Sequence, residues 1–235
     1  MSHALWDELA GRAALTLTAE QRRRLDRYLD LLLEANQTMN LTGIEDRASA
    51  ERLHVADSFT LLPFIPAGEQ RVADVGSGGG VPGIPLAVAR SDVAVTLIES
   101  TQKKAAFLTR AVQALELPNV EVFPGRAEEL AHSPRRQSFD VVIARALATM
   151  NVLAEWCLPL VKKGGKLLAM KGAKVSEELP AAEKAIRTLN GSPAIVHPAQ
   201  LPGAENHVIV EVVKFGRTDP KYPRPPAQVK ARPLG

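Results

Sequence analysis

Hydrophobic positions change their period once, near residue 66, along the 235 residues of the chain. Up to that point they recur at helical spacing. Leu25, Tyr28, Leu29, Leu32 and Leu33 form one stripe, and Arg22, Arg23 and Arg27 lie mostly off it. Thr18-Ala-Glu-Gln21 in front of the stripe fits a capping box, in which the side chains at the cap and three residues later satisfy each other's backbone N–H groups. A second helix is expected from Ala48 to Leu62, ended by Pro63 and Pro66. From Arg71 onward short apolar runs alternate with helical stretches. Strands are expected at Arg71–Val75, Ala94–Ile98, Val120–Phe123, Phe139–Ala144 and Lys166–Met170. Helices are expected up to about Arg90, then over Thr101–Leu115, Ala127–Leu130, Met150–Leu160 and Ser176–Leu189. Ala194–His197 and His207–Phe215 read as a terminal antiparallel pair. Repeated βα units predict a doubly wound parallel sheet. The chain thus divides into a helical region 1–66, an α/β domain 67–216 and a last segment 217–235, whose five prolines predict an extended arm.

Composition narrows the class. Hydrophobic residues make up 46% of the chain, enough for a packed core, and the single cysteine, Cys157, excludes an intramolecular disulfide and suits a reducing cytoplasm. No apolar run approaches the length of a membrane span and no charged-then-apolar leader opens the sequence, so a soluble cytoplasmic protein is expected. Net charge is only +3, but the cations cluster: Arg22-Arg23-Arg24, Lys103-Lys104, Arg135-Arg136, Lys162-Lys163, and six of them from Lys214 to Arg232 against one acid, Asp219. Such patches either attract a phosphate backbone or are solvated helix faces and tail.

The chemistry concentrates in Asp74-Val-Gly76-Ser77-Gly78-Gly-Gly80-Val81-Pro-Gly83, where the first strand turns into a helix. Glycines there let a ligand approach the main chain, and the helix start offers free N–H groups. Gly78 to Gly83 formally satisfies the dinucleotide pattern G-x-G-x-x-G. Asp74 argues against a pyrophosphate, which it repels, and Pro82 and Pro85 remove N–H groups that one needs. S-adenosylmethionine suits the loop better, having no phosphate, a positive sulfonium and a cationic amino-acid tail for Asp74. Glu99 ends the second strand, where an acid accepts from ribose hydroxyls. Gly125-Arg126-Ala127-Glu128 follows the third strand at the same crevice, with Ala127 and Glu128 toward the adenine. Five βα units and a closing antiparallel pair describe the Rossmann-like seven-stranded sheet of class I S-adenosylmethionine-dependent methyltransferases.

Several motifs in order make the reading specific. Asp74–Pro85, Asn40-Leu41-Thr42, Arg52-Leu-His54-Val-Ala-Asp57-Ser58, Ile143-Ala-Arg145-Ala146, Leu168-Ala-Met-Lys171-Gly172 and Lys221-Tyr-Pro-Arg-Pro resemble the RsmG (GidB) family over nearly the whole chain. The resemblance implies a bacterial enzyme that methylates nitrogen-7 of guanosine 527 in 16S rRNA, with the RNA or the small ribosomal subunit as partner and no metal. It also implies donor contacts at Gly76, Val81, Ala127, Glu128 and Arg145. One departure stands out: Ala144 takes the place of the family's usual serine before Arg145.

Guanine nitrogen-7 has a lone pair and no proton, so the reaction needs no general base. Positioning and desolvation supply the rate. An arginine bonded to nitrogen-7 would block the attacking lone pair. Arg126, Arg145 and Lys171, the candidate catalytic residues, are therefore expected on O6, ribose or phosphate, or else in structural ion pairs. His54 and Asp57, three apart on one helix face, read as a capping or interdomain network, and Trp6, Trp156 and Cys157 as core. A class I methyltransferase acting on a small molecule or protein, and a donor-binding sensor without turnover, are the competing readings.

Overall fold

The computed structural model describes residues 2–235. The chain divides into two compact units, one made of the chain up to Gln70 with Ser77–Pro124, the other of Arg71–Gly76 with Gly125–Gly235. Its strands, β1 (Gln70–Val75), β2 (Val93–Ile98), β3 (Val120–Phe123), β4 (Phe139–Arg145), β5 (Val161–Lys171), β6 (Ile195–Pro198) and β7 (Val208–Val213), form a seven-stranded sheet in the order β3-β2-β1-β4-β5-β7-β6.

In the first unit, α1 (Ser2–Gly11) is followed by α2 (Ala19–Met39), whose start is the expected capping box between Thr18 and Gln21. Leu25, Tyr28, Leu29 and Leu32 are buried on one face of α2, as their spacing requires. Each such burial stabilises by roughly 1.5–3 kcal/mol. Asn40 closes α2 in the left-handed region, φ 49°. The next helix departs from expectation. α3 (Arg47–Ala50) runs through a π-helical stretch, Glu51–Ala56, into α4 (Asp57–Phe59), and a separate 3₁₀ turn covers Leu62–Phe64. The wider π turn carries the buried His54, which meets the Thr42 hydroxyl at 3.1 Å. Thr42 is itself fixed by Asn36 Oδ1, which accepts its N–H at 2.9 Å. The Asn40–Thr42 and His54–Ser58 motifs are thus joined by one polar network inside this unit.

α5 (Gly83–Ala89), β2 (Val93–Ile98), α6 (Gln102–Ala114) and β3 (Val120–Phe123) complete the unit, with β2 and β3 parallel in the register Val95↔Val120. Arg90 ends α5 almost buried, donating to the carbonyls of Pro66 (3.0 Å) and Gly68 (3.1 Å) and pairing with Asp92. The Pro-rich segment read as a boundary is tied down by this one guanidinium.

In the second unit, β1 (Gln70–Val75) runs parallel to β4 (Phe139–Arg145), and β4 parallel to β5 (Val161–Lys171). β7 (Val208–Val213) is antiparallel to both β5 and β6 (Ile195–Pro198), so the expected terminal pair is present. Helices α7 (Ala127–Ala131), α8 (Met150–Cys157) and α9 (Val175–Thr188) lie between the strands in sequence. α8 ends three residues before the expected Leu160, because Pro159 disfavours helix at the residue before it. β5 begins five residues before the expected Lys166. Its opening Lys162-Lys163-Gly164-Gly165 is polar, yet Gly164 N–H reaches Lys214 O at 2.7 Å and Lys214 N–H reaches Gly165 O at 2.8 Å. The segment after Arg217 is not extended throughout: Pro226–Ala231 forms α10, and Tyr222 and Val229 are buried. Among the described residues no helix is long and apolar enough to cross a membrane.

Candidate functional site

The glycine loop is built from below in the first unit. The Tyr28 hydroxyl donates to Gly79 O at 2.8 Å, and a Cβ at Gly79 would stand 2.7 Å from Leu32 Cδ1. A side chain there would force Leu32 of α2 to shift. Ser77 is buried, and its N–H meets Ile98 O at 3.1 Å, which joins the loop to the end of β2. Gly80 N–H (2.7 Å) and Val81 N–H (3.3 Å) both donate back to Ser77 O. Glu99, at the end of β2, accepts from Gly78 N–H through Oε2 at 3.0 Å and from Thr101 N–H through Oε1 at 2.7 Å. A carboxylate has about four acceptor positions. Each oxygen of Glu99 therefore keeps one for a further donor, and the side chain is already held in place.

In the second unit Asp74 is buried near the end of β1, and Gly76 follows it with φ +75°. A Cβ at Gly76 would strike Leu147 Cδ1 at 2.6 Å in a conformation that L residues rarely adopt. Glu128 lies in the first turn of α7 with Ala127, both buried. Its Oε1 is buried without a hydrogen-bond partner among the described residues. Burial pushes the Glu128 carboxyl above its usual range, while its own backbone N–H and then the charges of Arg126 and Lys230 oppose that shift. Arg126 caps α7, exposed, with its N–H bound by Glu129 Oε2 at 3.2 Å. Arg145 closes β4, half-buried, and Ala146 after it turns the chain with φ 50°. Ala144, at the position of the departure, is fully buried between Val75 and Ala169 in the sheet register.

Lys171 closes β5, and two of its three ammonium N–H groups are engaged. It donates to Glu178 Oε2 at 2.6 Å and to Ala148 O at 2.7 Å, and the same Glu178 oxygen accepts Met150 N–H at 2.8 Å. Of the two expectations for Lys171, contact with RNA or a structural ion pair, the structure shows the ion pair, which pins the loop after β4 to α9. Sequence reasoning missed Glu178, Leu147 and Tyr28. Glu178 carried a faint signal, an acid seven residues after Lys171 in the first turn of a helix. Tyr28 carried none, since it belongs to an ordinary buried stripe. Cys157 is buried, and burial together with Glu128 and Asp74 raises its thiol far above its usual range, so it is inert at neutral pH. Among the described residues no three His, Cys, Asp or Glu side chains gather as a metal site would require.

Residues 21–208 match the family model GidB, described as rRNA small subunit methyltransferase G. The chain belongs to this family. It is 38% identical over 226 residues to the ribosomal RNA small subunit methyltransferase G of Leuconostoc citreum, covering 94% of this chain and 95% of that one. It is 42% identical over 225 residues to the protein of the same name from Moorella thermoacetica, covering 94% and 93%. Among solved structures, M. jannaschii TYW2 in complex with AdoMet is similar with a TM-score of 0.53 at 17% identity, over 74% of this chain and 79% of that one. Aeropyrum pernix fibrillarin with natively bound S-adenosyl-L-methionine is similar with a TM-score of 0.50 at 17% identity, over 63% and 69%. These two likenesses concern the fold. The family assignment rests on the match along residues 21–208.

Proposed function

We propose that the protein transfers a methyl group from S-adenosylmethionine to nitrogen-7 of guanosine 527 in 16S rRNA, acting in the cytoplasm on the RNA or the small ribosomal subunit. Family membership over residues 21–208 carries this reading. The fit of the donor rests on Glu128, whose buried Oε1 is an acceptor without a donor and suits a ligand that brings an N–H or O–H.

When bound, S-adenosylmethionine supplies an electrophilic methyl group on a positively charged sulfur. Glu99 would accept from the ribose hydroxyls with the acceptor positions that Gly78 and Thr101 leave open. Glu128 and Ala127 would meet the adenine, and Asp74 the cationic amino-acid end. Gly76, Ser77, Gly78, Gly80 and Val81 provide the close backbone wall. Arg145 would lie toward the target base and bind its O6 or the neighbouring ribose or phosphate, leaving the nitrogen-7 lone pair free. Arg126, exposed at the start of α7, would meet the RNA backbone. Lys171 acts as a positioning residue, because its ammonium is held by Glu178 and by the carbonyl of Ala148. No side chain has to remove a proton, since nitrogen-7 carries none.

The test is transfer of label from methyl-labelled donor to small-subunit RNA prepared without the modification, followed by digestion and nucleoside separation. Label is expected in 7-methylguanosine. Label only in a protein or small-molecule acceptor would replace the RNA reading with the alternative methyltransferase.

A further inference from the structure

The glycine loop and the helical region that precedes the sheet meet at Gly79, which is buried. The Tyr28 hydroxyl donates to its carbonyl at 2.8 Å in a buried hydrogen bond. A Cβ on Gly79 would stand 2.7 Å from Leu32 Cδ1 and 3.6 Å from Leu41 Cβ. Tyr28 and Leu32 belong to the buried stripe of α2, and Leu41 to the Asn40-Leu41-Thr42 motif that follows it. Thr42 is held in turn by Asn36 and His54. The helix stripe and the motif thus form one seat under Gly79.

From that seat a chain of hydrogen bonds runs to Glu99. A peptide unit is planar and trans, so its C=O and N–H point in opposite directions and a grip on one orients the other. Tyr28 grips the C=O of the unit between Gly79 and Gly80, and the N–H of the same unit donates to Ser77 O at 2.7 Å. Ser77 O belongs to the unit between Ser77 and Gly78, whose N–H donates to Glu99 Oε2 at 3.0 Å. Two peptide units therefore link a phenol on α2 to the carboxylate at the end of β2. Gly78 and Gly80 have φ of 54° and 93°, and neither carries a side chain that could restrain these units. Their orientation is left to the hydrogen bonds at the two ends, which strengthen one another along the chain.

We propose that Tyr28 is a positioning residue for the methyl donor. Through the two peptide units its hydroxyl holds Gly78 N–H, and with it the Glu99 carboxylate, in the arrangement that accepts the donor's ribose. The proposal rests on the assignment of Glu99 to the ribose hydroxyls. The phenol is fully buried and acts only through the loop. The Asn40-Leu41-Thr42 motif supports the same seat from the other side of Gly79 through Leu41.

The experiment uses the full-length protein with Tyr28→Phe, which keeps the ring and removes only the hydroxyl, with Glu99→Ala, and with the two combined. Leu25→Val, a buried change in the same stripe of α2, is the reference for a loss of packing alone. Melting temperature is measured, and affinity for S-adenosylmethionine by calorimetry at a temperature where every variant is folded. Tyr28→Phe should lower donor affinity about 3–10-fold, because a loop free to reorient must be ordered on binding. Leu25→Val should lower the melting temperature and leave donor affinity at the wild-type value. Without Glu99 the hydroxyl has no carboxylate to position, so adding Tyr28→Phe to Glu99→Ala should cost less than about twofold more. Equal donor affinities in Tyr28→Phe and wild type overturn the proposal, whatever happens to the melting temperature. An equal fall in Leu25→Val overturns it too, as does a Tyr28→Phe effect of the same factor with and without Glu99. Failure of the Glu99 assignment has its own signature: Glu99→Ala binds the donor like the wild type, and the proposal then falls with it.

Discussion

Glu99 at the end of β2 and Glu128 at the start of α7 are both buried carboxylates, but the chain prepares them differently. Glu99 has each oxygen occupied by a backbone N–H, at 3.0 and 2.7 Å, and the loop it holds is backed by Tyr28 and Leu32. Glu128 has an oxygen buried without a partner, and burial raises its carboxyl above the usual range. A carboxylate already gripped by the backbone is a rigid acceptor whose loss disturbs both ligand and loop. A carboxylate left short of a donor is held at a penalty that a ligand can relieve. The first region is organised in advance, and the second is completed by binding.

The largest effect is expected at Arg145, which closes β4. Arg145→Ala should lower single-turnover methyl transfer about 100-fold or more, by loss of positioning, with a melting temperature close to wild type. Transfer at the wild-type rate would remove Arg145 from the site.

Replacing Glu99 by Ala comes next. It deprives Gly78 and Thr101 of their acceptor and the donor of its own. Charge-assisted hydrogen bonds are worth about 1.5–3 kcal/mol each, so donor affinity should fall about 10–100-fold in calorimetry, with a lowered melting temperature. Glu128→Gln should separate the two regions most clearly. Donor affinity should fall about tenfold or less, while the ligand-free protein becomes more stable. The sign follows from the raised carboxyl. Its contribution to stability is fully present below its ordinary value of 4.5 and is lost as pH rises through the shifted one, so the wild type pays for ionising Glu128 in that window and Gln does not. A Glu128→Gln protein less stable than wild type at pH 7 would show that the carboxylate is satisfied without a ligand.

The last effect, on stability alone, lies away from the donor residues. Lys214 is fully buried, donating to Leu158 O at 2.9 Å and to the Thr218 hydroxyl, and burial followed by the charge of Arg136 lowers its ammonium to about 7. Below that value the native state holds a buried charge. Between it and the ordinary 10.5 the unfolded chain binds more protons, so stability should rise with pH across that range. Denaturant titrations of wild type and Lys214→Met at several pH values between 7 and 10 should show this slope in the former only.

Local chemistry made much of the fold legible. The Thr18–Gln21 capping box, the α2 stripe, strand β3 at Val120–Phe123 and the antiparallel final pair all express short-range patterns that the structure keeps. Two of the misreadings share a physical cause, partners far apart in sequence. Lys162-Lys163-Gly164-Gly165 joins β5 where Lys214, the residue after β7, pairs with it. Five prolines and several cations made the last segment look solvated, whereas its fold depends on Arg224 meeting Glu155, 69 residues away. Lys171 was visible as a strand-end cation, but its capture by Glu178 was not. At the donor residues the loop and Glu99 could be read from strand-end position, while the strain on Glu128 is a property of burial that no local pattern carries.

The central claim is that these residues together deliver a methyl group to one guanine nitrogen. Its most direct test is to treat unmodified small-subunit RNA with the wild-type protein and donor, cleave it with borohydride and aniline, and map the break by primer extension. A single enzyme-dependent break at guanosine 527 is the predicted result. Methylated RNA that shows no break there would contradict it.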